Sequence, residues 1–178
     1  MAVSQFNLNA GQRAERKLLI TVAEWQEDSS QVREILGTRT EDSSIEYNPD
    51  IETTTDILGI NYTDMNRTQP QQDFDPYLVL GGSKLGAKLN DIRRRNALSE
   101  LSNFTVYIIT AFVGDSTNGY AAEKHTGCTI AYNSIGGDTN VNFPISVYFS
   151  NQITTGTVDV LKDSFVFTAD PTGETGNT

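Results

Sequence analysis

The sequence predicts a mainly β domain with a single helix, and three observations support this prediction. Runs of β-branched and apolar residues recur along the chain, one segment has helical spacing, and Gly, Pro and Asn clusters separate the runs. At 178 residues the chain is most simply one domain, long enough to bury a core. Its apolar share of 37% is low, which fits either long polar loops or a subunit that completes its burial in an assembly.

Four strands are predicted in the first 70 residues. The run KLLITVAEW is apolar enough for a buried strand, whereas SIEYNPDIETTTDI alternates, so that its acids line one exposed face. Asn48-Pro49-Asp50 interrupts the second run as a bulge or as a hairpin tip. Residues 58–61 are a predicted turn, and residues 69–76 are a predicted loop with prolines near both ends. The four strands are 17–25, 31–36, 44–57 and 62–68.

The predicted helix begins at Ser83 and ends at about Leu98. Ser83 is the predicted N-cap, because a serine hydroxyl accepts a hydrogen bond from a free backbone N–H of the first turn. Apolar residues at near-helical spacing predict a buried stripe, and five basic residues fall largely off that stripe. The stripe is Leu85, Leu89, Ile92 and Leu98, and the basic residues are Lys84, Lys88, Arg93, Arg94 and Arg95.

The second half of the chain is predicted to be β. The run NFTVYIITAFV at 103–113 has the strongest character of a core strand, and a turn follows at 114–119. Strands at 121–134 and 140–150 flank a Gly-Gly-Asp hairpin signal. Residues 155–168 form a last strand or a strand pair that turns at Lys162-Asp163. The polar ends of the chain, about 1–13 and 169–178, are predicted to be a flexible arm and a flexible tail.

Charge is distributed unevenly along the chain. Between Glu24 and Asp56, ten acids stand against two bases, so this segment carries a net charge near −8. A folded surface with that charge must repel something or face something positive. The basic cluster on the predicted helix therefore indicates that identical copies meet, although a solvated helix face is the simpler alternative. The candidate subunit interface is Lys84, Lys88, Arg93, Arg94 and Arg95.

Composition and motifs disfavour several classes of function. The formal charge of −10 disfavours ordinary nucleic-acid binding, because Lys and Arg neutralise phosphates. GGSKLGAK is not a phosphate-binding loop, since Ala87 follows the second glycine of the motif where the lysine is required. His125 and Cys128 are three residues apart in a predicted strand, so they face opposite sides and do not predict a shared metal. No catalytic, cofactor-binding or metal-binding residues are predicted, and we expect the protein not to be an enzyme.

The cysteine count and the absence of long apolar runs indicate the cellular compartment in which the protein is made. A single cysteine cannot make an internal disulfide, which fits a reducing cytoplasm. No apolar run has the length of a membrane helix, and the first residues lack the features of a secretory signal. We therefore expect synthesis and assembly in the cytosol.

Two long runs resemble a known family. SIEYNPDIETTTDILG followed by QPQQDFDPYLVLGGSKLGAKLNDIRRRNALSELSNFTVYIITAFVG resembles the major tail tube protein of long-tailed (siphophage-type) bacteriophages of Gram-positive bacteria. The similarity covers residues 41–114 in detail and the flanking strands in general pattern. It implies a β-sandwich or open barrel with one flanking helix, similar to the tube proteins of contractile tails and of type VI secretion. The resemblance favours a non-contractile tail.

The resemblance also implies a role and partners. In that family, subunits self-assemble into hexameric rings, an inner sheet joins neighbours, and stacked rings form a conduit for genome ejection without catalysis. The implied partners are further copies of the chain together with tail-tip or initiator, tape-measure and tail-terminator proteins. DNA passes without specific binding, and neither a cofactor nor a membrane is implied. The implied location is the virion tail, assembled in the host cytoplasm.

An acidic wall suits such a conduit, because like charge keeps the phosphate backbone from binding. Glu46, Glu52 and Asp56 are the candidate lumen residues, and the alternative is that they face outside solvent. Loops 38–43 and 69–76 and both chain ends are candidates for ring stacking.

Two other functions stay open from the sequence. One is a non-enzymatic β-sandwich binding module for carbohydrate or surface recognition, which the single tryptophan, Trp25, disfavours. The other is a hydrolase with two carboxylates, for which 23 acids offer many pairs and no reason to choose one.

Overall fold

The described residues, 6–159 and 165–171 of this computed structural model, form eleven strands and one α-helix, α1 (Lys84–Arg95). Short 3-10 helices lie at Arg16–Leu18 and Leu98–Ser102. The mainly β prediction with one flanking helix is confirmed. The strands are β1 (Leu19–Glu27), β2 (Ser30–Ile35), β3 (Ile45–Glu46), β4 (Asp50–Thr55), β5 (Asn61–Arg67), β6 (Gln71–Phe74), β7 (Phe104–Asp115), β8 (Gly119–Tyr132), β9 (Ile145–Tyr148), β10 (Ile153–Asp159) and β11 (Val166–Ala169).

The long strand β8 joins two antiparallel sheets. Its first part, from Tyr120 to His125, pairs with β10, and its last part, from Thr129 to Tyr132, pairs with β9. Gly127 lies between the two parts with φ +75°, a backbone angle that glycine adopts at little cost. The first sheet therefore runs β2-β1-β7-β8-β10-β11, and the second runs β8-β9-β6-β3.

The main core lies between the two sheets and under α1. Leu85, Leu89 and Ile92 of the helix are fully buried, as their spacing predicts. They pack with side chains from both sheets, so each contributes about 1.5–3 kcal/mol of hydrophobic stabilisation. The largest fully buried apolar residues of this core are Phe74, Phe104, Phe143, Leu85, Leu89, Ile92, Ile130 and Ile145.

The opposite face of the first sheet holds a second, smaller core. Tyr107 of β7 packs edge-on against Phe165, with ring centroids 4.9 Å apart, and against Phe167 of β11 at 5.6 Å. The guanidinium of Arg33 in β2 lies 4.8 Å from the centroid of the Phe165 ring. The C-terminal strand therefore arches over the sheet toward β2, and the first sheet is curled like an open barrel.

The helix ends are set by local hydrogen bonds. Ser83 is the N-cap, and its hydroxyl accepts from the Gly86 N–H at 3.0 Å, as predicted. Asn96 adopts a left-handed conformation, with φ +56°, and ends the helix before Leu98. Leu98 is therefore 53% exposed, and its place in the predicted buried stripe is wrong.

Two strand predictions are wrong. Residues 44–57 form β3 and β4, which belong to different sheets, because Asn48 takes φ +43° and Pro49 follows it. Residues 69–76 are not a loop, since β6 pairs between β3 and β9. Gln72 in β6 is buried and accepts a hydrogen bond from the Thr21 hydroxyl at 2.8 Å. A polar strand of this kind is invisible to a hydrophobicity pattern.

The remaining predictions concern the two chain ends and the strands of the second half. Phe6 bridges to Val113 of β7, and the side-chain amide of Asn7 donates to the carbonyls of Ala111 and Gly114. This part of the predicted N-terminal arm therefore lies on its own subunit. The second-half strands are confirmed with shifted ends, and β10 and β11 form the predicted pair. The Lys162-Asp163 turn, residues 1–5 and most of the tail lie outside the described residues.

The carboxylate of Glu34 fastens α1 to the sheet. Its Oε2 accepts from the N–H groups of Lys84 and Leu85 at 2.6 and 3.0 Å. Its Oε1 accepts from the hydroxyls of Ser83 and Tyr77 at 2.8 and 3.1 Å. Burial raises the pKa of Tyr77, so its hydroxyl stays a donor. A negative charge at a helix N-terminus is favourable, and here β2 supplies it.

We expect Glu34→Gln to lower the free energy of unfolding by about 1–2 kcal/mol, because the amide removes the charge at the helix N-terminus. Urea unfolding followed by circular dichroism measures this change. Glu27→Gln, at an exposed position in β1, is the matched control and shifts stability by less than about 0.5 kcal/mol. Equal effects in the two variants would show that Glu34 does not fasten the helix.

Candidate assembly surface

Strands β4 and β5 form a hairpin that is separate from both main sheets. Every residue of the two strands is exposed. At the base of the hairpin, the side-chain amide of Asn48 donates to the Gln69 carbonyl at 3.2 Å. A two-stranded hairpin is at best marginally stable in water. The β4–β5 hairpin would therefore be stabilised by packing against a further surface, which the described part of its own subunit does not supply.

The hairpin carries seven exposed apolar side chains, spread over its base, its two strands and its tip. Ile57 at the tip is fully exposed, and Leu58 beside it is 79% exposed. Single exposed apolar residues are normal, but this many on one short hairpin make it a candidate interaction surface. The group comprises Tyr47, Ile51, Ile57, Leu58, Ile60, Tyr62 and Met65.

The hairpin has two chemically different faces. Paired residues of an antiparallel ladder share a face, and the pairing places Glu52 opposite Asp64. Alternation then defines an acidic face, made of Glu52, Thr54, Tyr62 and Asp64. The opposite face, which we name the threonine face, is made of Ile51, Thr53, Thr63 and Met65. One hairpin can thus offer charge on one side and apolar contact on the other.

The hairpin tip is organised by Asp56. Its Oδ1 accepts from the N–H groups of Ile60 and Leu58 at 2.9 and 2.8 Å, and its Oδ2 accepts from the Tyr62 hydroxyl at 3.2 Å. The bond from the Ile60 N–H, followed by those from Leu58 and Tyr62, holds the pKa of Asp56 below its ordinary value. The carboxylate therefore stabilises the turn that presents Ile57 and Leu58.

The three candidate lumen acids do not share one strand face, contrary to the sequence-based prediction. Glu46 lies on β3 at the rim of the second sheet, and Glu52 lies on the acidic face of the hairpin. Asp56 lies at the tip, where its carboxylate accepts hydrogen bonds from the backbone of the turn. The bend at Asn48 separates Glu46 from the other two. Their place in a lumen stays a prediction.

The five basic residues of α1 fall into two groups. Lys88 is paired with Glu100 at 3.0 Å, and Arg95 is paired with Asp91 at 2.7 Å and with Glu100 at 2.8 Å. Arg95 and then Lys88 hold the pKa of Glu100 down to about 2. These two bases are therefore neutralised inside the subunit. The bases without an acid partner among the described residues are Lys84, Arg93 and Arg94.

The sheets end in edges that can accept another strand. Among the described residues, β2 pairs with β1 alone, β11 with β10 alone and β3 with β6 alone. An unpaired edge presents a row of free N–H and C=O groups and is a template for another chain. The curled first sheet therefore offers β2 and β11 as its two ends.

Two acids of the acidic segment point inward, which sequence reasoning missed. Glu24 is 5% exposed, forms an ion pair with Arg33 and accepts from the Tyr107 hydroxyl at 3.2 Å. Burial and then the Glu24 charge raise the pKa of Tyr107 to about 12. Glu34 caps α1. A signal existed for Glu24, because alternation in β1 places it on the same side as Val22.

The other sequence candidates lie in the core. His125 is 2% exposed, with Nδ1 at 3.1 Å from the Ser150 carbonyl oxygen, and Cys128 is fully buried. In the described ranges, no three or more His, Cys, Asp or Glu residues are grouped so as to hold a metal ion. Among the same residues, no helix has both the length and the apolar character that a bilayer crossing requires.

Comparisons with known proteins find similarity at the level of solved structures. No protein-family model and no curated protein matches the chain. Among solved structures, the chain is similar to one in "Cryo-EM structure of the anti-feeding prophage (AFP) baseplate, 6-fold symmetrised", with a TM-score of 0.44 and 8% identity. The alignment covers 83% of this chain and 97% of that chain. A similarity at this level carries no conclusion about function.

The lowered pKa of Asp56 predicts acid sensitivity of the hairpin tip. A lowered folded-state pKa stabilises the turn above the ordinary Asp value of about 3.9, and this stabilisation is lost as the pH falls through the lowered value. We expect the amide resonances of Leu58 and Ile60 to shift in an NMR titration at a pH below that ordinary value. Asp56→Asn is the control, since its amide still accepts hydrogen bonds without titrating. A midpoint at or above the ordinary value contradicts the assignment.

Proposed function

We propose that this chain is a self-assembling structural subunit of a phage tail tube, in which stacked, hexameric rings surround a bore that passes DNA. The observation that carries the proposal is the β4–β5 hairpin, exposed at every strand residue and bearing Ile51, Ile57, Leu58 and Met65. A monomer gains nothing from such an element, whereas an assembly buries it.

The edges of the curled first sheet support the same proposal. If β2 of one copy meets β11 of the next, the sheets continue from subunit to subunit around a closed ring. Closure removes the exposed edges that otherwise lead to aggregation. The resemblance of residues 41–114 to tail tube proteins is independent of these contacts and points to the same role.

Electrostatics is consistent with a conduit. A net charge of −10 keeps a phosphate backbone from adhering to the wall of a bore. Glu46 remains the lumen candidate that is placed on a main sheet. In this proposal no reaction is catalysed and no cofactor is required, and tail-tip, tape-measure and terminator proteins are the further partners.

Negative-stain electron microscopy of the concentrated full-length protein, with sedimentation velocity on the same sample, tests the proposal. We expect hollow rings or tubes, alone or after addition of tail-tip and tape-measure proteins. A monomer that persists with those proteins present would overturn the proposal, and binding of a glycan array would then favour a recognition module.

A paired substitution at the hairpin tip separates assembly from folding. We expect Ile57→Ser with Leu58→Ser to leave the free energy of unfolding within about 0.5 kcal/mol, because both side chains are exposed in the monomer. The same variant loses rings and tubes in electron micrographs. Ile135→Ser, 48% exposed and outside the hairpin, is the control that still assembles. Normal tubes from the tip variant would exclude the tip from the assembly contacts.

A further inference from the structure

The acidic face of the hairpin carries an electrostatic conflict. Glu52 and Asp64 are directly paired across β4 and β5, and like charges in that position are destabilising. Glu52 has a weak hydrogen bond from the Asn66 amide at 3.3 Å, and among the described residues neither acid has a Lys or Arg within ion-pair distance. The hairpin as a whole, Asp50 to Arg67, holds four acids and one base, a net charge of −3. A cation supplied from outside the subunit would relieve this repulsion.

A matching basic surface lies on α1. At about 100° per residue, Ala87 and Arg94 lie roughly opposite the buried stripe of the helix, and Asn90 and Arg93 continue from them around the flank that faces away from Asp91. We name this side the arginine face. Arg93 and Arg94 are exposed and have no acid partner among the described residues, while Arg93 donates to the Asn90 side chain at 2.9 Å. Residues 84–95 hold five bases and one acid, a net charge of +4.

We propose that the acidic face of the hairpin in one copy docks on the arginine face of α1 in a second copy. This inference rests on the proposed function and names the surface that holds neighbouring copies together. The two elements are comparable in length, since seven residues of β5 extend about 23 Å and twelve residues of α1 about 18 Å. Arginine suits the contact, since its planar guanidinium pairs with a carboxylate through two parallel hydrogen bonds.

The docking has a geometric consequence. The two surfaces are different patches of one chain, so after the first contact one copy keeps a free arginine face and the other keeps a free acidic face. A head-to-tail contact of this kind closes into a ring or continues as a filament. Glu52 is then an interface residue and not a lumen residue. Lys88 and Arg95, which are neutralised inside the subunit, stay outside the contact.

Cross-linking of full-length variants that carry one added cysteine each tests the contact directly. A tagged Thr54→Cys protein, altered on the acidic face, is mixed at high concentration with Ala87→Cys protein, altered on the arginine face, and treated with a short bis-maleimide. Thr53→Cys with Ala87→Cys is the matched control, because Thr53 is the same residue type on the threonine face. Cys128 stays silent, since it is fully buried and burial raises the pKa of its thiol.

We expect the acidic-face pair to give at least about tenfold more heterodimer than the control pair, falling as salt rises. Charge reversal supplies the second measurement. We expect the cross-link to be lost when the Thr54→Cys protein also carries Glu52→Lys with Asp64→Lys. We expect the same loss when the Ala87→Cys protein carries Arg93→Glu with Arg94→Glu. Mixing the two reversed proteins restores the cross-link. Thr53→Lys with Thr63→Lys places two lysines at the neighbouring paired position on the threonine face and leaves the cross-link intact.

The outcomes separate this inference from the proposed function. Equal cross-linking of the two cysteine pairs, or failure of the double reversal to restore it, overturns the docking even if the wild-type protein forms tubes. A salt-sensitive, reversal-rescued cross-link establishes the docking even if micrographs never show a tube, in which case the conduit proposal is the one that falls.

Discussion

The bend of β8 at Gly127 is the constraint on which the rest of the structure depends. A single strand pairs with β10 before the bend and with β9 after it, so one chain segment belongs to both sheets. The main core exists because the two sheets are held at this junction, and α1 closes it from outside. The left-handed backbone at Gly127 suits glycine, since a side chain at φ +75° is strained even where space is available. The conformation that Gly127 can adopt thus determines how the two sheets are oriented on each other.

The acids of the chain serve two different purposes, depending on which way they face. Glu24 and Glu34 turn inward and are satisfied by Arg33, Tyr107 and the N-terminus of α1. Without its partners the buried carboxylate of Glu24 would be strongly destabilising, and the half-buried Glu34 accepts from the first N–H groups of the helix, so these acids specify how β1, β2 and the helix meet. Glu52 and Asp64 turn outward, and no Lys or Arg among the described residues forms an ion pair with either of them. The inward acids therefore stabilise the subunit itself, whereas the outward acids are available to bind a cationic surface of another subunit.

The two main sheets with α1 have buried cores, whereas the β4–β5 hairpin is exposed, and this difference links folding to assembly. Both cores and the helix cap are complete in the described part of one copy. The hairpin has a tip ordered by Asp56, and all residues of its two strands are exposed in the part of the subunit that the structure describes. Anything that binds the folded hairpin stabilises it in proportion to the logarithm of concentration. Assembly and hairpin order are accordingly expected to rise together, while the body stays folded throughout.

Local signals in the sequence determined much of this protein. The helix, its Ser83 cap and its Leu85, Leu89 and Ile92 stripe follow from interactions within a few residues, as do the core strands with continuous β-branched runs. The tertiary structure decided the rest. β6 is a strand because β3 and β9 pair with it, although Gln71 and Gln72 give no apolar signal. Likewise, the split of residues 44–57 into two sheets depends on a backbone turn at Asn48 and on distant pairing partners. Strand pairing is non-local, so neither the partners of a strand nor the face that an acid occupies is encoded in its nearest neighbours alone.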